Sequence, residues 1–129
     1  MEEKKKILII DDDKFLVHMY AMKFEKSGFT VDYALDGLEA VEKLRNNFDP
    51  DIILLDLIMP GMDGFGFLDT IKKENLLKKS IVIMLTNQGL ASDITRAEEY
   101  GVHGYIVKAT TIPSEVVEEV VNIYKQNNK

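Results

Sequence analysis

The chain contains no cysteine, which excludes disulfides, thiolate chemistry and zinc clusters built on sulfur. Positive charge is also in short supply: sixteen Lys and Arg stand against twenty-two Asp and Glu, a formal net charge of -6. Direct nucleic-acid binding calls for a basic face, so this balance argues against it while leaving a protein partner open. Long apolar runs are missing as well. None approaches the ~20 residues of a membrane-spanning helix. The amino-terminal MEEKKKILII stops at three aspartates, well short of the ~7–15 apolar residues of a signal peptide. No linker, second domain or low-complexity tract interrupts the chain. With 129 residues, 46% hydrophobic and 29% charged, the expectation is one domain over 1–129, located in the cytoplasm.

What is present is a regular alternation. Short aliphatic runs occur at Ile7–Ile10, Ile52–Leu55, Ile81–Leu85 and Tyr105–Val107, with a weaker one at Thr30–Ala34. Most lack polar alternation, as expected of strands covered on both faces in a parallel sheet. TVDYA does alternate, which suits an edge strand. Between the runs lie amphipathic helical patterns over Phe15–Lys26, Asp36–Asn46, Gly64–Glu74, Leu90–Tyr100 and Ile112–Lys125. Gly28 is placed to end the first, Asp36 to cap the second, and Thr111 to cap the last, with Pro113 in its first turn. Five strand–helix repeats imply right-handed crossovers and a doubly wound α/β sandwich.

Ligands of such folds sit outside the carboxyl ends of the strands. The first strand delivers Asp11, Asp12 and Asp13 there; the third delivers Asp56, the fourth Thr86 and Asn87, the fifth Lys108. Three carboxylates in one crevice repel, so either their pKa values rise or a cation neutralises them. An oxygen-only ligand set points to a hard ion, most simply Mg²⁺. Lys108 and the Thr86 hydroxyl do little for a metal but suit an oxyanion on or beside Asp56. The group reads as a phosphoryl-transfer site with Asp56 as nucleophile and Lys108 and Thr86 on the phosphoryl oxygens. The Pro60-Gly61 turn and Asp63-Gly64 lift the following loop clear of Asp56.

Four stretches, ILIIDDD, LLDLIMPGMDG, MLT and GYIVK, resemble the response regulator receiver domain of two-component signalling over essentially the whole chain. The resemblance implies a flavodoxin-like (βα)5 sandwich with strand order 2-1-3-4-5. It implies that Asp56 accepts a phosphoryl group from a histidine kinase or phosphotransfer protein. Asp12 and Asp56 would ligate Mg²⁺ directly and Asp11 through water, with the Ile58 carbonyl completing the protein's share. Tyr105 looks like the family's switch aromatic, turning inward as Thr86 moves and altering the face of the fourth helix, fifth strand and fifth helix. Output would pass to another protein or to a fused domain absent here. His18 and His103 are expected at the surface, and the six methionines in the core and scattered outside it.

Rival readings fit less well. A dehalogenase-like phosphatase needs an acid two residues after its nucleophile, where this chain has Ile58. A flavin-binding protein needs a hydroxyl-rich phosphate loop, where DDDK stands. A pseudo-receiver, binding partners without phosphorylation, stays open because two positions depart from the family pattern. Lys108 is followed by Ala109 where proline is usual, so a trans bond is expected there. Asn87 stands where the family favours a small residue, usually alanine, and Ile58 and Gln88 occupy variable flanking positions. A bulkier amide beside the phosphoryl site is expected to narrow access for a phosphodonor or attacking water. Phosphoryl exchange is therefore expected to be slower than in an Asn87→Ala variant; equal rates in the two proteins would reject this.

Overall fold

A computed structural model describes residues 4–59, 61–86 and 91–127. Its elements alternate in chain order: β1 (Lys6–Ile10), α1 (Lys14–Lys26), β2 (Thr30–Ala34), α2 (Gly37–Arg45), β3 (Ile52–Asp56), α3 (Gly64–Lys73), β4 (Ile81–Thr86), α4 (Ala91–Glu99), β5 (Gly104–Val107) and α5 (Pro113–Asn127). A single 3-10 turn, Lys108–Thr110, joins β5 to α5. The sheet is parallel with order β2-β1-β3-β4-β5, the doubly wound arrangement the sequence implies.

The apolar runs are buried because each strand feeds two cores. Leu8, Ile10, Ile53, Leu55, Val82 and Met84 face one side, with Ala40, Val41 and Leu44 of α2, Phe67, Leu68 and Ile71 of α3 and Ala97 of α4. Ile7, Ile9, Ile52, Leu54, Ile83, Leu85 and Ile106 face the other, with Val17, Tyr20 and Phe24 of α1 and Val116, Val117 and Val120 of α5. Alternate side chains of an extended strand point to opposite faces, so β1 from Ile7 to Ile10 and β3 from Ile52 to Leu55 can be aliphatic without a break. β2 lies at an edge, and its burial is correspondingly partial.

Local chemistry sets the helix ends. Asp36 caps α2, its side chain accepting from Glu39 N–H at 2.8 Å, and Asp63 caps α3 by accepting from Gly66 N–H at 2.8 Å. Gly28, at φ +92, closes α1 where a side chain would be strained; beyond it Phe29 N–H donates back to the Phe24 carbonyl at 3.0 Å. The last helix corrects the expectation for Thr111. Ile112 occupies the position before Pro113, and Glu115 Oε1 reaches back to accept its N–H at 3.2 Å. Thr111 instead closes the preceding 3-10 turn, because Pro113 fixes the first helical residue two positions later. Met59 and Met84 are buried and Met22 is exposed. Among the described residues no peptide bond is cis, in keeping with a trans bond before Ala109. Pro60, Asn87, Gln88 and Leu90, to which the sequence assigns roles, lie outside the described residues.

Gly64 holds the loop after β3 against the strand. A Cβ there would stand 2.7 Å from Leu57 Cα and 2.8 Å from the Asp56 carbonyl oxygen, closer than any backbone tolerates, and its N–H donates to the Leu57 carbonyl at 2.9 Å. Gly64→Ala is expected to destabilise by about 1–3 kcal/mol, although alanine is the better helix former. Denaturant unfolding checks this, and an unchanged or raised midpoint would contradict it.

Candidate functional site

Register brings the predicted residues to one place. Ile10 pairs with Leu55, so Asp11 follows one strand where Asp56 ends its neighbour. Asp56 pairs with Leu85 and Thr86 with Val107, which places Thr86 and Lys108 on the next two strand ends. Asp11 is fully buried, Asp56 is 4% exposed and Thr86 5%. Asp12 lies in the open at the rim.

The three aspartates of DDDK do different things. Asp11 turns inward, its N–H donating to the Ala34 carbonyl at 3.1 Å and its Oδ1 accepting from Asp13 N–H at 2.9 Å. Asp13 caps α1, accepting from Leu16 N–H at 3.1 Å. Asp12 is left free of both tasks and faces solvent above the crevice. Each of Asp11, Asp12 and Asp56 offers an oxygen within 4.8 Å of the others.

Lys108 is the counter-charge. Its Nζ lies 2.6 Å from Asp11 Oδ2 and 3.4 Å from Asp56 Oδ2, so the lysine leans toward Asp11 rather than the expected acceptor. That short approach is a buried ion pair, and no other group reaches Asp11 Oδ2 with a hydrogen bond. Burial opposes the ammonium, but the Asp11 and Asp56 charges outweigh it and the pKa of Lys108 is raised. Asp56 is pushed up to about 6, by burial first and by the Asp11 charge second, against the pull of Lys108 and of Ile58 N–H, which lies 3.4 Å from Asp56 Oδ1. The raised pKa expected of crowded carboxylates is thus seen at Asp56.

The described set fits a hard divalent cation. It is all oxygen, it carries more negative charge than Lys108 cancels, and one buried oxygen still lacks a hydrogen bond. Asp11, Asp12 and Asp56 would hold such an ion. Ile58 itself is 70% exposed, its side chain standing at the mouth beside Asp56.

The family model for the response regulator receiver domain matches residues 7–120. The chain belongs to that family. Curated relatives of this receiver include the probable transcriptional regulator ycf29 of Porphyra purpurea, 34% identical over 91% of this chain and 55% of its own length. ResD of Bacillus subtilis is 38% identical over 87% and 45% respectively, and the phosphate regulon regulator PhoB of Escherichia coli 32% over 95% and 52%. The receiver therefore spans about half the length of the curated relatives it matches. Among solved structures, chemotaxis protein CheY4 of Vibrio cholerae superposes with a TM-score of 0.84 at 26% identity, covering 94% of this chain and 99% of the other. The Francisella response regulator 1452 receiver domain gives 0.82 at 30% identity, covering 97% and 100%. A receiver is a signalling switch rather than a conventional enzyme. Among the described residues no helix is long and apolar enough to cross a membrane.

Tyr105, on edge strand β5, is 48% exposed. Behind it a cavity of about 250 Å³ is lined by Met84, Ile94, Glu98, Val102, His103 and Gly104. His103 is exposed as expected, but its ring is engaged: Nδ1 accepts from Val82 N–H at 3.0 Å while His103 N–H donates to the Val82 carbonyl at 2.8 Å. His18 is exposed and packs edge-to-face on Tyr33. One polar residue of the crevice escapes the sequence reading. Tyr20 belongs to the apolar stripe of α1 by spacing, yet it lines a cavity with Lys108. A hydroxyl in an otherwise aliphatic stripe was the available signal.

A folded pKa above the ordinary carboxylate value means that the native state holds the Asp56 proton more tightly than the unfolded chain does. The stability this proton confers is complete below about pH 4 and is lost as pH rises through about 6. Asp56→Asn, a permanent neutral stand-in, is expected to be the more stable protein above about pH 6 in a chelator, by up to about 3 kcal/mol. The gap should close toward about pH 4. Unfolding curves of the two proteins across that range check it; a gap independent of pH would refute the assignment.

Proposed function

We propose that this receiver is a Mg²⁺-dependent phosphoacceptor that takes a phosphoryl group on Asp56 from a histidine kinase or phosphotransfer protein. The observation that carries the reading is the convergence of Asp56, Asp11, Lys108 and Thr86, all buried or nearly so, at four adjacent strand ends. In the transfer, an Asp56 carboxylate oxygen forms a bond to phosphorus as the donor's bond to phosphorus breaks, and the donor imidazole departs with the electron pair. Burial fixes Asp56 on a strand with no freedom to swing, so the approach is in line from the open side. Lys108 and the Thr86 hydroxyl supply a charge and a donor to the phosphoryl oxygens. Asp11, Asp12 and Asp56 with the Ile58 carbonyl would hold the ion. When bound, Mg²⁺ supplies charge neutralisation of carboxylates and phosphoryl oxygens.

The rim supports a protein as donor. Phe15, Ile58 and Ile112, all strongly exposed, stand on three different segments at this end of the sheet. Exposed large apolar groups around a charged centre suit a partner helix better than a free small molecule. Modification at Asp56 would draw in Thr86 and let Tyr105 turn toward the cavity behind it, altering the α4-β5-α5 face. Only a few kcal/mol of bias between two such states is needed. The altered face would control a partner protein in the cytoplasm, or an output domain of the kind that makes its curated relatives about twice as long.

Incubation with Mg²⁺ and an acyl phosphate, followed by intact mass measurement, tests this with Asp56→Ala alongside. One phosphoryl group on the wild type alone is the expected result. None on either protein would favour a phosphorylation-independent interaction module.

A further inference from the structure

Lys108 must change partner during the proposed reaction. It rests 2.6 Å from Asp11 Oδ2, yet its role with a phosphoryl group requires it to lean toward Asp56. An ammonium has three donors and no acceptor, and outside water each donor left without a partner is costly. A neutral acceptor beside Lys108 would take up the donor that turns away from Asp11.

One cleft beside Lys108 is walled by α1 and the loop before α5. Leu16, Met19, Tyr20, Ile112 and Pro113, with both threonines between, line this open cleft of about 500 Å³ together with Lys108. Most of this lining is apolar. Thr110 Oγ1 is committed to the Val107 carbonyl at 3.5 Å, and Thr111 sits on the connecting loop. Tyr20 is different: it is 2% exposed and packed in the core under α1. Its hydroxyl makes no hydrogen bond among the described residues. The hydroxyl is therefore open to the cleft it shares with Lys108 and available as an acceptor there. The crevice reaches it electrically. Burial raises the Tyr20 pKa, Lys108 lowers it, and Asp11, Asp56 and Asp13 add to the rise, leaving it above the ordinary value. The group is a neutral hydroxyl at any physiological pH, with a lone pair to offer an ammonium.

We infer that Tyr20 is a positioning residue for Lys108: its hydroxyl oxygen accepts from the ammonium that has left Asp11 for a phosphoryl group on Asp56. This rests on the phosphoacceptor reading and adds a residue of this chain's own to it. The tyrosine ring is locked by α1 packing, so the acceptor is presented at small entropic cost. No direct contact between Tyr20 and the transferred group is required.

Tyr20→Phe keeps the ring and removes only the unbonded oxygen, so folding should be unaffected. Labelling with Mg²⁺ and an acyl phosphate is followed over time at rising donor concentration for wild type and Tyr20→Phe, with a thermal melt of each. The expected result is a maximal labelling rate lower by about fivefold, the rate equivalent of one ordinary hydrogen bond. The half-saturating donor concentration and the melting temperature should stay as in wild type. Equal maximal rates would overturn the inference. So would a rate loss that comes with a matching fall in melting temperature or a shift in half-saturation, since either marks a packing or binding effect. Absence of labelling on the wild type itself would overturn the phosphoacceptor reading, and the inference with it.

Discussion

Two buried carboxylates share one lysine, and the rest of the molecule is arranged around that constraint. Asp11 and Asp56 end adjacent strands in a place that water reaches poorly. Neither could stay ionised there alone, and Lys108 does not fully satisfy both. The result is a site under electrostatic tension, with one carboxyl pushed toward neutrality and one oxygen short of a hydrogen bond. Added positive charge would relieve that tension. The raised pKa of Asp56 follows from this arrangement rather than from any single residue.

The tension is sustainable because the frame is stiff. β1 and β3 are aliphatic on both faces and lie inside the sheet. The loop after Asp56 is pressed against its strand at Gly64. On the outside, Arg45 of α2 grips Glu74 after α3 through two nitrogens, Nε at 2.8 Å and NH2 at 2.5 Å. The opposite edge is built differently: β5 is short, Tyr105 stands half out, and a cavity lies behind it. The β5 side of the crevice is thus less densely filled than the interior strands β1 and β3.

Much of this was legible in the sequence. Aliphatic runs announce strands buried on two faces, and whatever follows each run must emerge at the same end of a parallel sheet. That is why Asp11, Asp56, Thr86 and Lys108 could be grouped before any coordinates. Other features were not legible because they depend on distances between residues far apart in the chain. That Lys108 prefers Asp11 to Asp56 is settled by less than an ångström across sequence separations of 97 and 52. The His103 ring standing in for a strand carbonyl opposite Val82 needs the β4–β5 register to be seen. Thr111 looked like the cap of α5, yet Glu115 reaching back to Ile112 moved that role by one residue. Tyr20 was hidden by its own apolar ring.

The run Asp11–Asp13 shows what backbone direction does to identical side chains. The end of a strand sends the first inward to an ion pair, the bend after it sends the second out to water, and the start of α1 folds the third onto its own amide groups. Three copies of one residue are thus not spares for one another. Each has been given its meaning by the dihedral angles beneath it, so redundancy in the letters conceals a strict division of labour in space.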